Sequence, residues 1–337
     1  MRNNTGKLKG YYIPALIALP LIAAFVSLCV GRYQLPVSRV AAVIYNAVLG
    51  SNTDVLAYST VINTRLPRIL LAAVAGAGLS VAGCAFQSLF TNPLATPDTL
   101  GVASGASFGA ALGILLGFSQ FGIQSTSFLF GAAAVVLTFL AGKNARNSLS
   151  AMVLSGIMIG SLFSSLISLV KFAADTEQQL PAITYWLMGS LSGIGYKSLA
   201  FGSIPVIVGI AVLLALRYRI NLLVLSSDEA TATGVNIKAL RIAVAVCATV
   251  ITAACVSMCG QVGWIGLLVP HMCRMMFGNN HLSLLPACVS VGTTFLIVTD
   301  TLARSLTPAE IPISVLTAII GAPFFILLMN KSRGWQL

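Results

Sequence analysis

The sequence predicts an all-α integral membrane protein, one transmembrane permease domain over residues 1–337 with about ten spanning helices. Three observations predict it. Charged residues make up 8% of the chain and hydrophobic residues 57%, with a mean hydropathy of +0.95. A soluble domain carries about 25% charged residues, and a third of that cannot cover a water-facing surface. Apolar segments recur at about the 20 residues that a spanning helix needs. Many of the 30 glycines lie inside those segments, as in Ala75-Gly76-Ala77-Gly78. Small residues let helices approach closely in lipid, where the hydrophobic effect does not drive them together. Soluble enzymes, disordered tails and nucleic-acid modules are excluded. The formal charge of +11 is not gathered into a basic stripe, so the expected partner is the bilayer and not nucleic acid.

The ten segments fall at about 11–31, 67–90, 100–118, 122–141, 150–172, 196–216, 240–260, 263–278, 284–304 and 312–330. The first is too long for a signal-peptide core and lacks an A-x-A cleavage site, so it is read as a retained span. The seven cysteines lie in or at the ends of apolar segments and show no disulfide framework. With the N-terminus inside, twelve basic residues fall inside and seven outside, Arg32, Arg39, Arg65, Arg68, Lys171, Lys197 and Arg304. The positive-inside rule therefore favours cytoplasmic N- and C-termini.

Three connecting stretches stand out. Arg32 to Leu66 contains an amphipathic run, Val37 to Ile44, suited to a helix lying along the bilayer, and ends in Arg65-Leu66-Pro67-Arg68. The 217–241 loop carries Ser226 or Ser227 as a helix cap, then Asp228, Glu229 and Ala230, with Gly234 as a stop. A short exposed helix there is either a docking element or a plain capped connector. Ala173 to Gly193 holds Asp175, Glu177 and Tyr185-Trp186-Leu187-Met188-Gly189, whose aromatics suit an interfacial anchor.

The run Arg65-Leu-Pro-Arg68 through Gly83, Gln87, Asn92-Pro93-Leu94-Ala95, Pro97 and Leu100-Gly101 resembles the FecCD family, the membrane subunits of ABC importers for iron-siderophores, haem, vitamin B12 and related solutes. Tyr185 to Gly189, Gly263-Trp264 to His271, Asp300 to Arg304, and Glu310-Ile311-Pro312 to Pro323 match its motifs in order, over about residues 10–334. The resemblance implies an ABC type II importer permease bundle in the bacterial inner membrane. It implies a homodimer, two cytoplasmic ATPase subunits that bind ATP and Mg, and an extracytoplasmic substrate-binding protein. It makes Arg65, Arg68 and Arg304 docking groups for acidic residues of the binding protein, a role that the planar fork of arginine suits. It makes Asp228, Glu229, Ala230 and Gly234 the ATPase-coupling element. It places Asn147, Ser148 and Ser150 near the cytoplasmic gate, with Ser155, Gly156, Gly160 and Ser161 deeper in the pathway. Helix packing explains those small residues equally well. A ferric siderophore is the first expected substrate, with cobalamin, haem or molybdate/tungstate as the others.

The chain lacks G-x-x-x-x-G-K-[ST], its one Gly-Lys pair being Gly142-Lys143 followed by Asn144, so no catalytic residue, cofactor or metal is expected in it. Two rivals remain. An ion-coupled transporter needs midplane acids, but Asp300 stands four residues from Arg304 and suits an i,i+4 pair, and Asp98 suits an N-cap. A soft-metal channel would draw on Met258, Cys259, His271, Met272 and Cys273, residues that also serve as apolar filler.

Overall fold

The structure is a computed structural model and describes residues 12–50, 54–142, 149–224 and 234–331. Its helices are α1 (Tyr12–Cys29), α2 (Val37–Leu49), α3 (Val55–Tyr58), α4 (Leu66–Leu89), α5 (Val102–Leu115), α6 (Gln120–Gly142), α7 (Leu149–Ala173), α8 (Gln179–Leu187), α9 (Tyr196–Ile220), α10 (Ile237–Cys259), α11 (Ile265–Phe277), α12 (His281–Ser305) and α13 (Ile313–Lys331). All ten expected segments are helical. Among the described residues seven helical runs are long and apolar enough to cross a membrane, and α5, α11 and the apolar part of α13 are shorter.

Helix α4 is the axis of the bundle. From Ala75 to Leu89 its residues are buried on every side, and α1, α9, α10, α11 and α12 all pack on α4. Its small residues make this possible. A Cβ at Gly76 would stand 2.3 Å from the Gly292 carbonyl of α12, one at Gly78 would stand 2.8 Å from Val206 of α9 and Cys255 of α10, and one at Gly83 would stand 2.0 Å from the Gly266 carbonyl of α11. Each glycine serves a different neighbour. A second seam of this kind joins α5 to α6, where Gly105, Gly109 and Gly113 recur every fourth residue against Phe130, Thr126 and Ile123.

Helix α4 is entered through a π-helical turn, Ser59–Arg65, which continues α3. Pro67 has no N–H to return to the preceding turn, and the wider turn absorbs that gap. The run Val37 to Ile44 forms α2, longer than expected, with Val40 and Val43 turned inward. Arg39 on its outer face donates to Asp54 at 2.8 Å.

The two short helices have a common cause. Pro93, Pro97 and Gly101 (φ 73°) keep residues before α5 in a turn, and Gly260 (φ 69°) and Trp264 (φ 68°) do the same before α11. These two turns meet inside the bundle. The Pro97 ring comes within 3.0 Å of where a Gly266 Cβ would lie, and a cavity of about 270 Å³ between them is lined by Asp98, Gln261, Trp264 and Ser314. Non-helical backbone at this depth is tolerated because protein and not lipid surrounds it. Asp98 is not the N-cap of its own turn, as the sequence suggested. Thr96 and Thr99 form a reciprocal capping box there, and the Asp98 carboxylate faces the Ala103 and Ser104 N–H groups at the start of α5.

Substituting Gly83→Val drives a Cβ and its two γ-methyl groups into the α11 backbone. The expected outcome is a loss of about 3 kcal/mol or more, read as a lowered melting temperature or absent monodisperse elution in detergent. Wild-type stability in this variant contradicts the packing described.

Candidate transport site

Three regions bear on transport: the exposed face of α7, a polar node at the end of the bundle holding the α1 N-terminus, and an ionic node at the opposite, distal end. Of the expected gate residues, Asn147 and Ser148 lie outside the described residues, and Ser150 is exposed at the start of α7. Ser155, Gly156 and Gly160 sit on the packed face of α7. A Cβ at Gly156 would lie 2.0 Å from the Thr99 carbonyl, and Gly160 lies against Gly101. The smallness of Gly156 and Gly160 serves the seam between α7 and the turn before α5, and Ser155 is buried beside Gly142 of α6, so the structure shows these three as packing residues where the sequence reading expected a pathway lining. Ser161, the remaining residue of that expected set, lies on the open face of α7 with Ser164, Ser165 and Ser168 among Ile157, Met158 and Leu162. Ser161, Ser165 and Ser168 donate to carbonyls four residues back at 2.9–3.1 Å, which satisfies each proton and leaves lone pairs facing outward. The signal for this stripe was the recurrence of serine every third or fourth residue.

Of the residues expected to couple to an ATPase, Asp228, Glu229 and Ala230 lie outside the described residues. Gly234 follows them, exposed, with φ 72°. The base of this loop is held by a chain that sequence reasoning missed. Ser88 at the end of α4 lies 2.6 Å from His281 Nε2, His281 Nδ1 lies 2.8 Å from Asn221 Oδ1, and the Asn221 amide donates to Asn280. Asn221 opens the 3₁₀ turn that leads into the loop, so the chain fixes the loop's root to α4 and α12. A lone histidine and a loop asparagine carry no spacing signal.

At the distal end Arg65, Arg68 and Arg304 gather as expected, but they are buried, at 4%, 6% and 8% exposure. Arg68 Nε donates to Asp300 at 2.7 Å and its Nη1 to both oxygens of Glu310 at 2.9 Å. Arg304 Nε stands 3.7 Å from the other Asp300 oxygen, and its Nη2 donates to the Ser27 carbonyl and hydroxyl. Arg65 donates to the Leu28, Cys29 and Tyr33 carbonyls. Gly31 runs directly beneath Arg65 and Arg304. Freely presented forks are therefore corrected: these guanidinium groups are engaged inside the chain. The expected pair of Asp300 with Arg304 exists, but the closer partner of Asp300 is Arg68.

Tyr185 to Gly189 closes α8 onto two other segments. A Cβ at Gly189 (φ 73°) would lie 2.3 Å from the Gln261 carbonyl, Ser190 N–H donates to Cys259, and the Ser314 hydroxyl donates to the Met188 carbonyl. Among the soft-ligand candidates, the Cys259 thiol donates to the Cys255 carbonyl at 2.9 Å and the His271 ring packs edge-on to Phe325. No cluster of three or more His, Cys, Asp or Glu able to hold a metal occurs among the described residues.

The model of the FecCD transport family matches residues 19–331. The chain belongs to the FecCD transport family. Among curated FecCD relatives, the molybdate import permease MolB of Haemophilus influenzae is 41% identical over 319 residues, covering 94% of this chain and 95% of that protein. The hemin permease HmuU of Yersinia pestis is 34% identical over 279 residues, covering 81% and 83%. A solved ABC transporter assigned to the metal-chelate type, in an inward-facing conformation, superposes with a TM-score of 0.87 at 40% identity, covering 96% of this chain and all of that one. The chain is thus an ABC transport permease.

In this FecCD chain the motif Arg65-Leu-Pro-Arg68 and the motif Asp300 to Arg304 are two halves of one buried ionic node. Removing one partner strands a buried charge. We expect Asp300→Ala or Arg68→Ala to lower stability by about 3–5 kcal/mol, and Arg68→Met with Asp300→Leu to cost less than either single change. Melting temperatures of the three variants test this, and additive losses contradict it.

Proposed function

We propose that this chain is the membrane-spanning subunit of a binding-protein-dependent importer for a metal-containing solute, with a molybdate-class oxyanion as substrate. The reading rests on end-to-end similarity: the molybdate permease matches over nearly the full length of both chains, at 41% identity. The hemin permease aligns over 81% of this chain at 34% identity. On this ground we rank a molybdate-class oxyanion ahead of the ferric siderophore expected from the sequence.

Two copies pair about a central pathway in the bacterial cytoplasmic membrane, with both termini cytoplasmic, and two ATPase subunits bind ATP and Mg below. The exposed hydroxyl face of α7 supports a polar pathway wall, since lipid does not reward a serine stripe. Asp228, Glu229, Ala230 and Gly234 meet the ATPase. The Ser88–His281–Asn221 chain then passes their displacement to α4 and α12.

The binding protein docks at the distal end. Arg65, Arg68 and Arg304 against Asp300 and Glu310 leave one positive charge in excess, and Arg32 and Lys197 are exposed nearby in sequence to the same end. Arg39 is neutralised by Asp54, whose carboxyl is held below its usual range by the Ala57 N–H and the guanidinium. A lowered carboxylate pKa keeps that pair ionised at and below neutral pH, and it fails only in acid. The buried node supplies shape and field, and the exposed cations steer an acidic partner.

Proteoliposomes carrying the permease, its ATPase and the loaded binding protein should accumulate molybdate only with internal ATP. Siderophore or hemin uptake without molybdate uptake overturns the substrate. Uncoupler-sensitive uptake without ATP overturns the importer reading. For docking, Arg32→Glu with Lys197→Glu should slow binding-protein association about tenfold at low salt. An unchanged on-rate sinks the steering role.

A further inference from the structure

A groove of about 610 Å³ runs between α1 and α12. Ile13, Ile17 and Leu21 form one wall, and Pro286 and Val289 lie on the other. Arg217, in the last turn of α9, lines the same groove. The two prolines shape it. Pro20 cannot donate to the Leu16 carbonyl, and Ser290 donates to that carbonyl instead, tying α1 to α12 beside the groove. Pro286 likewise leaves the Leu282 carbonyl, a groove-lining residue, without its helical donor.

We propose that this groove holds one acyl chain of an anionic phospholipid, with the lipid phosphate on Arg217. Four features select this occupant. Helix α1 is the least buried of the long apolar helices, so this flank faces lipid. The groove wall on α12 runs from Leu282 to Thr293, about 16 Å at 1.5 Å per residue, which matches one leaflet of a hydrocarbon core about 30 Å thick. Arg217 is half-buried, and no carboxylate pairs with it among the described residues. Its planar fork suits a phosphate, and basic pockets between spanning helices recognise such headgroups. A second copy of the chain is a poorer occupant, because Ile13, Ile17 and Leu21 are bulky and helix contacts in lipid favour small residues. The inference is independent of which solute the permease carries.

The test uses the purified full chain in bilayer discs of equal phosphatidylglycerol and phosphatidylcholine, followed by native mass spectrometry. The wild type should retain one phosphatidylglycerol per chain in preference to phosphatidylcholine. Arg217→Gln should lower that preference about fivefold, and Arg217→Lys should keep most of it. Val289→Trp, which fills the groove and leaves Arg217 in place, should lower retention of both lipids. Equal preference in wild type and Arg217→Gln overturns the phosphate contact. Full retention in Val289→Trp overturns the groove. Disulfide-linked dimers of Ile17→Cys, beyond those of the parent chain, assign the surface to a subunit contact and overturn the proposal as well.

Discussion

Backbone-to-backbone contact along α4 is the constraint on which the rest of the structure depends. In lipid, apolar surface gains little by moving from acyl chains to another helix, so association relies on close van der Waals packing and on polar groups. A helix buried on every side must then let five neighbours approach at once. Helix α4 does so by placing Gly76, Gly78 and Gly83 opposite α12, α9 with α10, and α11 in turn. The short turns before α5 and α11 follow from the same crowding, since Gly266 and Pro97 meet next to Gly83.

Helices α4 and α12 form an antiparallel zipper with a polar clasp at each end. Arg68 meets Asp300 at one end, Gly76 meets Gly292 midway, Ser80 donates to the Cys288 carbonyl beyond it, and Ser88 meets His281 at the other end. A shift of one helix past the other breaks both clasps together, and a buried charge or hydroxyl without a partner is costly. The clasp at the distal end also draws in α1 through Ser27 and the segment before α13 through Glu310. The clasp at the near end draws in α9 through Asn221. A displacement at Asn221 is therefore tied to the distal end through one pair of helices, and this pair is the route we propose for coupling.

The bundle reads differently on its two flanks. The outer face of α7 mixes hydroxyl and apolar side chains, while that of α1 is aliphatic with a cation at one end of the groove. A pathway wall needs the first pattern and a lipid contact the second, so the two surfaces are separable by chemistry alone.

Much of this was legible in the amino-acid order. Low charge density fixes the membrane setting, because few polar side chains remain to meet water, and each run of about twenty apolar residues must bury its backbone polarity in a helix. All ten segments are therefore helical where expected, and the order of motifs from Arg65 to Pro323 identifies the family. The state of individual polar groups was not legible. Arg68 and Asp300 are 232 residues apart, so no local period announces their contact, and an arginine near a helix start reads equally as a docking fork or a buried partner. Gly156 reads equally as a pathway or a packing residue until the Thr99 carbonyl is found against it. The sequence by itself determined which segments enter the bilayer and what family they form, since both depend on composition and local order. Only the tertiary structure decided which charges are spent inside the protein and which faces stay open, because both depend on which distant helices α4 brings together.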